Sequence, residues 1–133
     1  MNSRPMERRS SVTLVVTVHQ PDERLASLAE AQLPELVARY AALTAFCSSN
    51  THATILDLLR RHGVSVHVDD RPSAGIDQIG RVRRRTLRAG LEGGSAHLQM
   101  CDFDRALHCV AHYPQELGAV LAEIAKKDLL VLG

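Results

Sequence analysis

The sequence is poor in aromatic side chains, with two tyrosines, two phenylalanines and no tryptophan among its 133 residues. Proteins that bind single-stranded nucleic acids depend on aromatic rings on which the bases stack. The formal net charge is only +1, so the chain also has no general excess of positive charge to attract a phosphate backbone. We therefore expect no nucleic-acid partner.

Long apolar runs are also missing. No segment approaches the roughly 20 apolar residues that a membrane-spanning helix needs, so no transmembrane segment is predicted. Residues 1–10 are polar, and the apolar run that follows them is too short for a secretory signal; we interpret these residues as a disordered leader. Cys47, Cys101 and Cys109 form no C-x-x-C motif and are typical of reduced, mostly buried thiols in a cytoplasmic protein.

Three common motifs of phosphate binding and catalysis are absent from the sequence. There is no G-x-x-x-x-G-K-[ST] loop, no G-x-G-x-x-G after the first predicted strand, and no G-x-S-x-G elbow. These absences argue against a P-loop nucleotidase, a dinucleotide-binding domain and a serine hydrolase of the α/β type.

Strand-like and helix-like segments alternate along the chain. The unbroken β-branched run at residues 12–18 is typical of a buried parallel strand. Further strands are predicted at residues 43–47, 64–68, 97–104 and 128–132. Helices are predicted at 23–43, 53–62, 76–92 and 105–127, with Pro34 kinking or dividing the first and Pro114 interrupting the last. The pattern predicts one α/β domain over residues 11–133, with a three-layer, Rossmann-like, mostly parallel sheet and helices on both faces.

Two aspartates, Asp102 and Asp104, end the fourth predicted strand. Residues i and i+2 of a strand point to the same side, so we expect both carboxylates to project together beyond the carboxyl end of the sheet, where such folds bind ligands. Two hard oxygen ligands suit Mg²⁺ or Mn²⁺. The alternative is that Asp102 caps the next helix and Asp104 occupies its first turn.

Other polar groups fall near the same edge of the predicted sheet. The arginines of the third helix suit a diphosphate, or form a solvated helix face; they are Arg81, Arg83, Arg84, Arg85 and Arg88. The turn at residues 48–51 presents hydroxyl and amide groups to a base or ribose, or only caps the next helix. For Asp69 and Asp70 two interpretations are open. Their carboxylates accept hydrogen bonds from a nucleobase or ribose, or the two residues only terminate the third predicted strand.

His108 and His112 lie one helical turn apart, which is a metal-ligand spacing. Cys109 stands where the glutamate of an H-E-x-x-H site would be, so a zinc hydrolase is not indicated. A packed or surface pair is the favoured interpretation.

In their order along the chain, these segments resemble the nucleotide-sugar-binding part of GT-A fold (family 2-like) glycosyltransferases. The matching segments are VTLVVTVHQ, SSNTH, RRRTLRAGLEGG and HLQMCDFD, and the resemblance covers residues 12–133. It implies that the Asp-x-Asp motif is the metal and diphosphate site, with Asp104 holding the cation and Asp102 contacting the ribose or sugar. It also implies that residues 19–21 lie against the nucleotide.

The resemblance and the polar groups together predict the binding residues. We expect a UDP- or GDP-linked sugar to be bound by His19, Gln20, Pro21, Ser48, Asn50, Asp70, Arg81, Arg84 and Asp102, and Mg²⁺ or Mn²⁺ by Asp102 and Asp104. Many members of that family have an acidic Asp-Asp-Gly-Ser turn where this chain has Ser48-Ser49-Asn50. Asp69 or Asp70 is therefore expected to substitute in recognition of the base.

The family's acceptor site and catalytic base lie C-terminal to the metal motif, in a region that this sequence does not contain. We expect a truncated donor-binding domain, incomplete as an enzyme, with an unknown acceptor and no catalytic residue assigned. The alternatives are a non-catalytic nucleotide-binding or flavodoxin-like module, and an inactive fragment. The predicted last strand, residues 128–132, would then pair with a missing remainder or with a second copy of the chain.

Overall fold

The computed structural model describes residues 11–70, 79–92, 97–124 and 126. Within them, strands and helices alternate up to the last two helices, as the sequence predicts. The strands are β1 (Val12–Val18), β2 (Ala42–Cys47), β3 (Ser65–Val68) and β4 (His97–Asp102); the helices are α1 (Ala26–Arg39), α2 (Ala53–Arg61), α3 (Ile79–Leu91), α4 (Phe103–His112) and α5 (Pro114–Ile124). The predicted leader and the predicted strand at residues 128–132 lie outside the described residues.

The four strands form one parallel sheet in the order β3-β2-β1-β4. β1 lies inside the sheet and pairs with β2 on one side and β4 on the other. Strands that are covered on both faces are expected to be continuously apolar, as β1 is. The predicted α/β class, with a Rossmann-like parallel sheet and helices on both faces, is confirmed.

Side chains of β1 alternate between the two faces of the sheet. Its even-numbered residues belong to the main hydrophobic core, together with buried residues of α1, α2, α4 and α5. Val15, at an odd-numbered position, meets Gly90 of α3, which packs against β1, β2 and β4. Helix α3 therefore covers the second face of the sheet.

The structure defines the start of the first helix and the effect of the prolines in the first and last helices. Asp22 does not cap α1, which begins at Ala26 with Leu25 at its N-cap; instead Asp22 accepts a 3.0 Å hydrogen bond from the backbone N–H of Arg24, forming a local turn. This bond is the main reason that the pKa of Asp22 lies below its usual value. Pro34 lies inside one undivided helix, whereas the predicted break near Pro114 is confirmed.

Among the described residues, no helix has both the length and the apolar character needed to cross a membrane.

Gly90 permits the close approach of α3 to the sheet. A Cβ atom there would overlap Cγ2 of Val15, a stiff, fully buried side chain of the central strand. We expect Gly90→Ala to lower the free energy of unfolding by about 1–3 kcal/mol through overpacking. Gly118 of α5 is the matched control, because a Cβ atom added at that position would meet nothing within 4 Å. Gly118→Ala is expected to raise stability by up to about 1 kcal/mol. Urea unfolding of both variants tests this, and equal effects would contradict it.

Candidate functional site

The order of the strands places a topological switch point between β1 and β4. β2 and β3 are added to one side of β1, whereas β4 pairs with its other side. The helices that follow β1 and β2 contribute to the main core, whereas α3 packs on the opposite face. The helices that follow β1 and β4 both lie on the main-core face and pack against each other, so the loops that leave these two strands are neighbours on that side. The strand order reverses between β1 and β4, and open α/β sheets bind ligands at the carboxyl edge at such a point.

Asp102 lies at this switch point. It is the last residue of β4 and is paired in register with Thr17 of β1. The Thr17 hydroxyl donates a 2.8 Å hydrogen bond to Oδ1 of Asp102. Asp102 also occupies the N-cap position of α4, but its side chain accepts no bond from that helix. The prediction that it caps the helix is therefore wrong for the side chain, which is held by β1 and remains exposed to solvent.

Asp104 does not belong to the same strand as Asp102. β4 ends at Asp102 and α4 begins at Phe103, so Asp104 lies in the first turn of the helix. The expectation that strand alternation directs both carboxylates to one side is wrong. Oδ1 of Asp104 accepts a 2.9 Å hydrogen bond from the N–H of Arg105, and the helix dipole favours a negative charge there. Both carboxylates are nevertheless exposed at the junction between β4 and α4.

The loop after β1 and the turn after β2 form a second polar surface at the carboxyl edge. Nδ1 of His19 lies 3.1 Å from Oγ of Ser48, which donates a 2.8 Å hydrogen bond to Oδ1 of Asn50. His19 and Asn50 are exposed, and Ser48 is half-buried. The structure thus brings together three of the predicted binding residues from two segments of the chain, with a separation of 29 positions between His19 and Ser48.

The backbone joins the same two segments. The N–H of His52 donates a 2.7 Å hydrogen bond to the carbonyl oxygen of Gln20. His52 is also the N-cap of α2, because its Nδ1 accepts from the N–H of Thr54 at 3.1 Å. The helix is therefore not capped by Asn50, whose side chain remains at the polar surface. Pro21 is exposed next to Gln20 in the β1–α1 loop.

The end of β3 and the start of α3 are joined by an ion-pair cluster. The Asp69 side chain is only 4% exposed, and its oxygens lie 3.1 and 3.3 Å from the two Nη atoms of Arg81. Arg85 bridges Asp69 at 3.2 Å and Asp70 at 3.0 Å. Its guanidinium lies 5.6 Å from the ring centre of Phe46. Arg81 and Asp69 therefore bind each other instead of facing the switch point.

Asp70 and Arg84, the other predicted binding residues near the end of β3 and in α3, are exposed. Asp70 is 74% exposed and forms an ion pair with Arg85. Arg84 lies on the solvent side of α3, and in the parts of the chain that the structure describes it has no ion-pair partner. The arginines of α3 therefore have different roles. Arg81 and Arg85 form ion pairs that stabilise the fold, whereas Arg84 is available to bind a ligand.

All three cysteines are free, as predicted; Cys47 is buried and the other two are half-buried. Burial raises the pKa of the Cys47 thiol to about 12 and that of the Cys101 thiol to about 11. Thiols with such pKa values are protonated at neutral pH and are poor nucleophiles. Neither residue is therefore a candidate for covalent catalysis.

The carboxylates at the junction of β4 and α4 fit one kind of metal site. Among the described residues, no three His, Cys, Asp or Glu side chains are grouped so that they could hold a metal ion. Mg²⁺ and Mn²⁺, however, are commonly held by one or two carboxylates, with substrate phosphates and water completing the shell. Asp102 and Asp104 supply that number of carboxylates, so the residues present fit a cation shared with a phosphate-bearing ligand.

The chain matches no protein-family model, no curated protein and no solved structure. The resemblance to GT-A fold glycosyltransferases therefore stays a prediction that rests on the motifs of the sequence.

Thr17 and Arg85, like His52, have roles at this edge that the sequence alone does not show. Thr17 has the appearance of any β-branched strand residue, and only its register with β4 reveals the bond to Asp102. Arg85 carries a weak signal, because residues four apart on a helix are neighbours and Arg81 and Arg85 follow an Asp-Asp pair in the chain.

Removal of the buried carboxylate should destabilise the fold. We expect Asp69→Asn to lower the free energy of unfolding by about 2–4 kcal/mol, since two arginines lose their shared buried partner. Asp70→Asn is the matched control; it removes an exposed ion pair and should change stability by less than about 1 kcal/mol. Chemical denaturation measures both values. Similar losses in the two variants would show that the buried position has no special role.

The raised thiol pKa values make a pH-dependent prediction. In native protein at pH 8, alkylation of Cys101 by iodoacetamide should be roughly two orders of magnitude slower than in the urea-unfolded chain, because the thiolate is scarce below its pKa of about 11. The linked stability is fully present below the ordinary thiol pKa of about 8.5 and is lost as the pH rises through the native value. Mass spectrometry of labelled peptides reports each site, and rapid native labelling of Cys101 would contradict the prediction.

Proposed function

We propose that this chain is a nucleotide-sugar-binding domain of the glycosyltransferase type, which binds a UDP- or GDP-linked sugar with Mg²⁺ or Mn²⁺ at the carboxyl edge of its sheet. The observation that carries the proposal is the Thr17–Asp102 hydrogen bond across the β1–β4 switch point. It holds an exposed carboxylate where the fold favours ligand binding, one residue before the helix that carries Asp104.

The two carboxylates have different supports and therefore different roles. Asp102 is fixed by β1 through one oxygen, which leaves its other oxygen for the cation or a ligand hydroxyl. Asp104 is held in the first turn of α4 by the Arg105 N–H. The divalent cation would supply Lewis-acid stabilisation of the charge on the diphosphate. The two residues would hold and orient that cation from the end of the strand and the start of the helix.

The polar surface beyond β1 and β2 suits the nucleoside. The exposed His19 ring and the Asn50 amide can exchange hydrogen bonds with a base or ribose, and both are positioned by Ser48. Gln20 and Pro21 complete the loop against which the nucleotide would lie. The exposed Arg84 and Asp70 are secondary candidates, whereas Arg81 has no role in the proposal because Asp69 binds it.

A second candidate function is nucleotide binding without a cation. It is favoured by Asp104, whose position in the first turn and bond to Arg105 are those of an ordinary helix-terminal aspartate. Sugar transfer to an acceptor is proposed for the domain in its complete form; in the described residues no general base is assigned. The free cysteines fit a reducing compartment, and we propose a cytoplasmic location.

Calorimetric titration of UDP and GDP, and of their sugar conjugates, tests the proposal. We expect binding that requires Mn²⁺ and that weakens by roughly 10–100-fold or more in Asp104→Asn and Asp102→Asn, since each variant loses a negatively charged cation ligand. Asp57→Asn is the control, because Asp57 is an exposed carboxylate of α2 whose ion-pair partner is Arg61.

The outcomes separate the alternatives. Binding that is equal with and without Mn²⁺, and unchanged in Asp104→Asn, would support the cation-independent module. Folded protein that binds none of the nucleotides would refute both candidate functions.

A further inference from the structure

We propose that His108 and His112 form a two-ligand site for a transition-metal cation such as Zn²⁺, Ni²⁺ or Cu²⁺, separate from the carboxylates at the β4–α4 junction. Both histidines are exposed on α4 and lie four residues apart, so they share one face of the helix. This proposal does not depend on the proposed function.

The distance between the two rings fits joint coordination. Their centroids are 4.6 Å apart and their planes are inclined by 47°. A Zn–N bond is about 2.0–2.1 Å long and a ring nitrogen lies about 1.1 Å from its ring centre, so two imidazoles on one cation have centroids roughly 4.4–5.2 Å apart for angles at the metal between about 90° and 110°. The spacing of the two rings is therefore the one that a shared cation requires.

The position of the pair within α4 also favours a cation. His112 is the last residue of the helix, and His108 lies one turn before it. The carbonyl groups at a helix C-terminus carry partial negative charge, which attracts positive charge in the last turn. Tyr113 follows at the C-cap, and its ring centre lies 5.9 Å from that of His108 and 6.4 Å from that of His112. All three residues are exposed to solvent.

The chemistry of this pair differs from that of Asp102 and Asp104. Imidazole nitrogens select Zn²⁺, Cu²⁺ and Ni²⁺, whereas carboxylates suit Mg²⁺ and Mn²⁺. Because Cys109 stands beside His108, the general base of an H-E-x-x-H hydrolase is absent from its motif position. We assign the pair to binding, with water in the remaining coordination positions and a cross-link across the last turn of α4 as its structural effect.

Titration of Zn²⁺ into the full chain without a histidine tag tests the site. We expect one Zn²⁺ per chain, an increase in the thermal unfolding temperature, and changes in the ring NMR signals of His108 and His112. His108→Ala and His112→Ala should each weaken binding by at least about tenfold, the lower end of the losses seen in metal-site variants. Both side chains are exposed, so the variants should fold, which circular dichroism checks.

Two controls define the site. His67→Ala removes a histidine of β3, whose Nε2 lies 3.9 Å from Glu92, and should leave Zn²⁺ affinity unchanged. Asp57→Asn changes an exposed carboxylate of α2 and should also leave the affinity unchanged. Unaltered affinity in both histidine variants, loss of binding in Asp57→Asn, or no binding at millimolar Zn²⁺ would each overturn the proposal.

Discussion

Parallel pairing of β1 on both of its edges is the constraint on which the rest of the structure depends. β1 shares six paired positions with β2 and six with β4, and every one of its residues except Thr17 is buried. Buried backbone groups must be hydrogen-bonded, so neither neighbour can be displaced without loss of stability. A slip of one residue would turn each side chain to the opposite face. The same register places Thr17 beside Asp102.

The two faces of the sheet are built differently, and this difference bears on the site. One face is aliphatic and lies under α1, α2 and α4, which form a broad core with α5. The other face contains the buried threonines Thr13 and Thr44 and is covered, among the described helices, by α3, which contributes the buried Thr86. The close contact of Gly90 with Val15 brings α3 down onto this face. The arginines Arg81 and Arg85 of α3 then lie at the carboxyl edge, beside Asp69 and Asp70.

The carboxylates at that edge fall into two classes according to their surroundings. Asp69 is buried and shared by two guanidinium groups, which compensate its desolvation and anchor α3 to the end of β3. Asp102 and Asp104 are exposed, and the described structure gives each a single hydrogen-bonding group of the protein as partner. A buried, paired carboxylate stabilises the fold, whereas exposed carboxylates at a switch point retain oxygens for a cation. The division supports binding at Asp102 and Asp104 and structural roles for Asp69 and Arg81.

Local sequence patterns determined much of the fold. The β-branched run predicted β1 at the residues where it occurs, and Pro114 marked the boundary between α4 and α5, because the periodicity of side chains and the geometry of proline act over a few neighbouring residues. The collection of polar groups at the carboxyl edge also followed from the alternation of strands and helices.

Tertiary structure alone decided how those polar groups are used. Thr17 and Asp102 are 85 residues apart, and no local pattern shows that they are hydrogen-bonded. The rotation of α3 about its axis, set by its packing on the sheet, decided that Arg81 binds Asp69 while Arg84 faces solvent. Helix α4 begins at Phe103, so Asp104 lies in the helix and not in the strand that the sequence predicts. The sequence by itself determined the elements and the edge where the site lies; contacts between distant residues decided which side chains are held and which are free.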